Sequence, residues 1–150
     1  MALTLYATTV LLTLVLGAIA IIDLRQFRIP DALSLPLALC GMLVAWLLPI
    51  LPWQNHLIGA VAGFALFAVI GEVYFRHTGT EGLGLGDAKL FGAAGAWLGW
   101  QALPSVLLIA AVGGLVFALL RGRHLRVAFG PWLALGLWLV WLWQRHLGHG

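Results

Sequence analysis

ALTLYATTVLLTLVLGAIAII, residues 2–22, runs without a charge until Asp23 ends it. An α-helix of about 20 residues rises about 30 Å, the thickness of a bilayer's hydrocarbon core. The stretch therefore reads as a membrane-spanning helix. A cleaved signal peptide would open on positive charge and stop sooner. Here Ile21 and Ile22 carry the apolar run past the small residues Gly17, Ala18 and Ala20. The helix is expected to be retained.

The rest of the chain has the same character. Hydrophobic residues make up 63% of the 150 positions and charged ones 9%, and the mean hydropathy is +1.04. That composition excludes an ordinary water-soluble domain. Further spans are predicted over 32–50, 56–75, 88–102, 104–120 and 129–144, which gives an all-α polytopic membrane protein of about six transmembrane helices in one domain, 1–150. Pro49 and Pro52 with Gln54 and Asn55 mark a turn carrying an interfacial tryptophan, Trp53. The fourth span is short, as expected of a thin region or of a helix entered from a buried loop. Gly59 with Gly63, then Ala88, Gly92, Ala96 and Gly99, and the pair Gly113-Gly114, offer small surfaces for close helix packing. The single cysteine, Cys40, excludes a disulfide framework and a cysteine-built metal site.

Charge placement sets an orientation. Arg25 and Arg28, Arg76 and Lys89, then Arg121, Arg123 and Arg126 occupy alternate connections, and only Arg145 lies on the other side. By the positive-inside rule those connections are cytoplasmic and both termini are extracytoplasmic. No basic cluster suggests a nucleic-acid partner; membrane lipid is the expected surroundings.

That orientation brings two carboxylates to one face. Asp23 follows the first span, and Asp87 ends Gly84-Leu85-Gly86-Asp87, 64 positions later. Carboxylates beside hydrocarbon are costly and mark function. Two that meet share one proton, because like charges push their titrations apart. The ionised member activates water; the protonated one polarises a scissile carbonyl and protonates the leaving amine. Either aspartate can begin as the base. Gly82, Gly84 and Gly86 permit tight turns and the close approach of a substrate backbone.

Blander roles compete for each residue. Asp87 can cap the fourth helix, and Asp23 can pair with Arg25 or Arg28. Asp31 is placed as N-cap of the second helix, and Glu72 as an i,i+4 partner of Arg76. Lys89 is an anchor or the partner of an acid, and Glu81 a loop acid beside the glycines. A zinc motif of the His-Glu-x-x-His type is absent, and the five histidines lie near loops or the tail. A carboxylate-dependent small transporter is the non-enzyme rival, though no inverted repeat is visible.

Three blocks carry a family resemblance. They are Ile22 to Leu37 (IDLRQFRIPDALSLPL), Glu81 to Leu90 (EGLGLGDAKL) followed by Gly95 to Trp100 (GAWLGW), and Phe129 to Ala134 (FGPWLA). In order and spacing the chain resembles the membrane domain of the type IV prepilin peptidases. The resemblance implies that Asp23 and Asp87 are the catalytic pair, with Glu81, Gly84, Gly86 and Lys89 supporting the substrate site. It implies an inner-membrane endopeptidase that removes the basic leader of a prepilin or pilin-like precursor on the cytoplasmic side. Pilus-assembly machinery is an implied partner, and an inactive assembly scaffold is a second rival. Longer members add an N-terminal region with paired cysteines and N-methylate the product. The chain instead looks like the compact peptidase-only form, with proteolysis expected and methylation not. No metal, nucleotide or S-adenosylmethionine is called for.

Overall fold

The computed structural model of the chain describes residues 2–48, 51–121 and 127–147. Among them run six α-helices: α1 (Ala2–Gln26), α2 (Asp31–Leu47), α3 (Trp53–Thr78), α4 (Leu85–Leu98), α5 (Leu103–Arg121) and α6 (Gly130–Leu142). The all-helical polytopic membrane architecture is as expected. Among the described residues three stretches are long and apolar enough to cross a bilayer, Leu3–Gln26, Trp53–Thr78 and Trp100–Arg121. Several boundaries move. α1 continues to Gln26, so Asp23 lies inside the helix rather than after it. α4 begins at Leu85 and stops at Leu98, where Gly99 takes a positive φ of 83°. Pro49, Arg123 and Arg126, which the sequence assigns to connections, lie outside the described residues.

α4 forms the centre. It packs on α3 first, then on α2 and α6, while α6 also holds α5 and α1. Every residue from Leu90 to Gly99 is buried. A helix covered all round must be apolar or small all round, and LFGAAGAWLG is both. The small residues allow main chain to meet main chain. A Cβ built on Gly95 would strike the carbonyl group of Gly59, one on Gly63 would stand 2.8 Å from the Phe91 oxygen, and one on Gly92 would stand 3.0 Å from the Ala60 oxygen. Thus the glycines expected to pack do so, and Gly95 joins them at the tightest point.

Polar contacts then tie the periphery to this centre. The Trp97 indole N–H, fitted against Gly41, donates to the Leu37 carbonyl at 2.8 Å. Trp138 and Trp141 donate to the hydroxyls of Thr13 and Thr9, at 2.9 and 3.1 Å, and so link α6 to α1. Such interhelical bonds in lipid contribute about 0.6–2 kcal/mol each.

The two ends of the bundle differ chemically. Asp23, Asp31, Glu72, Glu81 and Asp87, all the carboxylate side chains of the sequence, fall at one end. At the opposite end Trp46, Trp53, Trp100 and Trp143 are exposed, an aromatic belt of the kind that sits among lipid headgroups. There too Arg145 is buried, with its guanidinium 4.6 Å from the centre of the Trp141 ring and donating to the Leu48 carbonyl at 3.4 Å. His56, read from the sequence as lying near a loop, is instead buried in the first turn of α3, its Nδ1 3.0 Å from the Ala96 oxygen.

Candidate active site

Three helix ends converge around the two aspartates. Near the end of α1, the Asp23 carbonyl accepts the Phe27 N–H at 2.8 Å. Phe27 then turns the chain with φ at 51°, an unusual left-handed conformation for a bulky residue. The chain continues extended through Pro30 into α2. The Asp23 side chain is buried, and its Oδ2 accepts the main-chain N–H of Gly130, the first residue of α6, at 3.0 Å.

Asp87 is the third residue of α4, ahead of the apolar span expected from 88. Gly84 is the N-cap of that helix, extended at φ −74° and ψ 151°, and no side chain caps it. Asp87 is therefore not the N-cap residue of α4, although its carboxyl reaches back to the Gly84 main chain. Likewise Pro30, not Asp31, is the N-cap of α2. Asp31 instead accepts Lys89 Nζ at 2.6 Å, which realises the acid-partner role foreseen for the lysine. The Glu72–Arg76 pair forms as expected, at 2.7 Å. The Glu72–Arg76 pair is largely solvated and contributes at most about 1 kcal/mol.

The glycines of the loop act through space rather than conformation: none of Gly82, Gly84 and Gly86 has a positive φ. A Cβ on Gly82 would stand 2.5 Å from the Tyr74 ring, and one on Gly86 3.0 Å from Ile29. Only Gly84 faces open room, with Asp87 Oδ2 its nearest neighbour at 3.7 Å.

Both carboxylates line the same two cavities. One, of about 350 Å³, is bounded by Asp23, Phe27, Glu81, Gly82, Gly84, Asp87 and the segment 127–129. The other, about 280 Å³, adds Arg28, Ile29, Asp31, Leu85, Gly86 and Lys89. Every residue singled out from the sequence as a site candidate therefore borders one of them. A third cavity of about 620 Å³ continues from Glu81 and Gly84 along Phe67, Gly71, Glu72 and Phe75 of α3. Phe27 and Gly130 were assigned no role from the sequence. For Gly130 a signal existed: Phe-Gly-Pro before an apolar run marks a helix start with free N–H groups.

The electrostatics suit proton transfer. Burial first, and then the neighbouring Asp23 carboxylate, push the Asp87 carboxyl up to about 6, against the opposing pull of a main-chain hydrogen bond with Gly84. An acid so poised holds a proton close to neutrality and can still release it.

A model of the type IV leader peptidase family matches residues 10–119, which include both aspartates. The prepilin leader peptidase/N-methyltransferase of Aeromonas salmonicida is 44% identical over 139 residues, covering 89% of this chain and 48% of that protein. The protein of the same name from Escherichia coli K12 is 42% identical over 123 residues, 79% of this chain and 55% of that one. The Burkholderia pseudomallei protein, also of that name, is 42% identical over 125 residues, with shares of 79% and 40%. The chain spans about half the length of the curated relatives it matches. No solved structure matches it.

Proposed function

We propose, because the chain belongs to the type IV leader peptidase family, that it is an aspartyl endopeptidase removing the leader of prepilin or pilin-like precursors. The observation that carries this reading is the pair Asp23 and Asp87, which face the same two cavities at one end of the bundle. That end is assigned to the cytoplasmic face of the inner membrane, because Arg25, Arg28, Arg76 and Lys89 lie there too. A precursor whose leader emerges from the membrane at this face presents its scissile bond at the aspartates. Glu81, Gly84, Gly86 and Lys89 bound the space the bond enters, and pilus-assembly machinery takes the product.

The chemistry needs no further group. One carboxylate, ionised, takes a proton from water as the water oxygen bonds to the scissile carbonyl carbon. The second carboxyl donates a hydrogen bond to that carbonyl oxygen and then its proton to the leaving nitrogen as the C–N bond breaks. A carboxylic acid and an amine leave, and the dyad again holds one proton. The transporter and scaffold readings gain nothing from this arrangement, since a dyad set beside an open loop glycine suits a peptide bond better than a passing ion.

The test is leader removal by the purified chain reconstituted in lipid, read by intact mass. Cleavage of a candidate precursor at one bond is expected. No cleavage across a panel of precursors that a control peptidase cuts would overturn the reading. A second expectation concerns pH. Asp87 should titrate near 6 by its infrared carboxyl band, and Asp23→Asn, which removes one of the two causes, should move that titration down. An unmoved band would mean that the carboxyls do not sense each other.

A further inference from the structure

Resting on the peptidase reading, we infer that Gly130 is a positioning residue: its main-chain N–H holds one oxygen of Asp23, presents the other to water, and thereby makes Asp23 the base. The donor is in place, Gly130 N–H to Asp23 Oδ2 at 3.0 Å. It is available because the first N–H groups of a helix have no partner within it. In α6 the N–H groups of Trp132 and Leu133 return to the Phe129 carbonyl at 3.1 Å, and Pro131 has none, so Gly130 directs its own at the carboxylate.

The glycine is required by that carboxylate and not by the backbone. Gly130 is not among the residues with positive φ, so no left-handed conformation reserves the position for glycine. A Cβ there would stand 2.5 Å from Asp23 Oδ2 and 3.0 Å from its Cγ; the other close neighbour, at 3.0 Å, is Ile29 Cδ1, the free end of a flexible side chain. Only a hydrogen leaves the carboxylate where it is. Asp87 has a main-chain hydrogen bond of its own, with Gly84, but burial and the Asp23 charge outweigh it and leave the shared proton on Asp87.

An N–H donated to a carboxylate favours the ionised form. Asp23, whose charge raises the Asp87 carboxyl, begins without the proton, and its free oxygen takes one from water as the new O–C bond forms. Asp87, holding the shared proton, gives it to the nitrogen as the C–N bond breaks. This settles a division of labour that two chemically identical side chains leave open.

The experiment compares wild type with Gly130→Ala in the reconstituted cleavage assay, with Gly17→Ala, which meets nothing within 4 Å, as control. Gly130→Ala should lower kcat about 10- to 100-fold with KM changed less than about twofold, since misplacing a reacting group by about 1 Å costs that much. The acid limb of its pH profile should move to higher pH, because Asp23 has lost a donor that favours its charge. The other ionisable groups around it (Asp87 from α4, Glu81 across the larger cavity, Arg28, Asp31 and Lys89 across the smaller) are the same in both proteins. A merely structural glycine would lower kcat and leave that limb in place, and an unchanged kcat overturns the inference outright. Melting supplies a readout independent of cleavage: Gly130→Ala should cost markedly less in an Asp23→Ala background, where the carboxylate it strikes is gone. Equal costs in both backgrounds would also sink the assignment. Wild type failing to cleave would count against the peptidase reading instead, while the melting comparison still decides whether Gly130 holds Asp23.

Discussion

Asp87→Asn leaves the precursor uncut, with leader removal reduced about 10²–10⁴-fold, the range that a positioned acid or base supplies. Asparagine keeps the size of the side chain and its capacity to hydrogen-bond, but it carries no exchangeable acid proton, so nothing protonates the leaving amine. The fold survives the change. In the wild type the folded Asp87 carboxyl titrates at about 6 against an ordinary 3.8. Its folded value is raised, so its stabilising contribution is present below about pH 4 and is lost as pH rises through 6. At pH 7.5 the folded protein bears the cost of ionising this group, on the order of 3 kcal/mol, and the asparagine variant does not. Asp87→Asn should therefore melt at or above the wild-type temperature at pH 7.5, the gap closing near pH 4. An inactive variant that also melts lower would show that Asp87 serves the fold. Retained cleavage would remove it from the chemistry.

Gly95→Ala should have the largest effect on stability, about 3 kcal/mol or more, the upper range for overpacking a close-fitted contact. The added methyl would meet the Gly59 carbonyl group and stand 2.7 Å from the Ala60 nitrogen, and both are main chain in the middle of a helix. No rotamer change relieves such a collision; α3 and α4 must part. Thermal unfolding in detergent checks this directly. Gly92→Ala, with its nearest atoms at 3.0 and 3.1 Å, should fall between Gly95→Ala and the harmless Gly17→Ala. If all three melt alike, the helices have slack that their contacts do not suggest.

Hydropathy made the spans legible, because each crossing of hydrocarbon needs its own apolar run. It misplaced their ends wherever a helix continues into polar sequence, as α1 does through Asp23 and Arg25 to Gln26. The Glu72–Arg76 pair could be read because its partners are one helical turn apart. The Lys89–Asp31 and Gly130–Asp23 contacts join residues 58 and 107 positions apart, and no local pattern encodes such pairs. The caps went astray for a related reason: Asp31 and Asp87 are typical capping residues, but Pro30 and Gly84 already hold the extended conformation that a cap needs. His56 looked peripheral because a histidine near a helix start usually faces water, whereas here the bare carbonyl of Ala96, on the small-sided α4, leaves it a buried partner. Asp23 and Asp87 were the readable part of the candidate site, since a carboxylate beside lipid stands out in any composition.

The brevity of α4 bears on how the protein is made. Its 14 residues rise only about 21 Å, well short of a hydrocarbon core of about 30 Å. Such a segment, with Asp87 and Lys89 in its opening turns, gains too little from lipid to enter by itself during synthesis. The glycine-lined flank of α3 gives it a protein surface to enter against, so α3 and α4 reach the membrane as a hairpin. Asp23 is translated well before the N–H it leans on, which belongs to α6, 107 positions later. The hold on Asp23 is therefore completed only once α6 has been made, and a chain stalled before that point carries its two acids in an unfinished site.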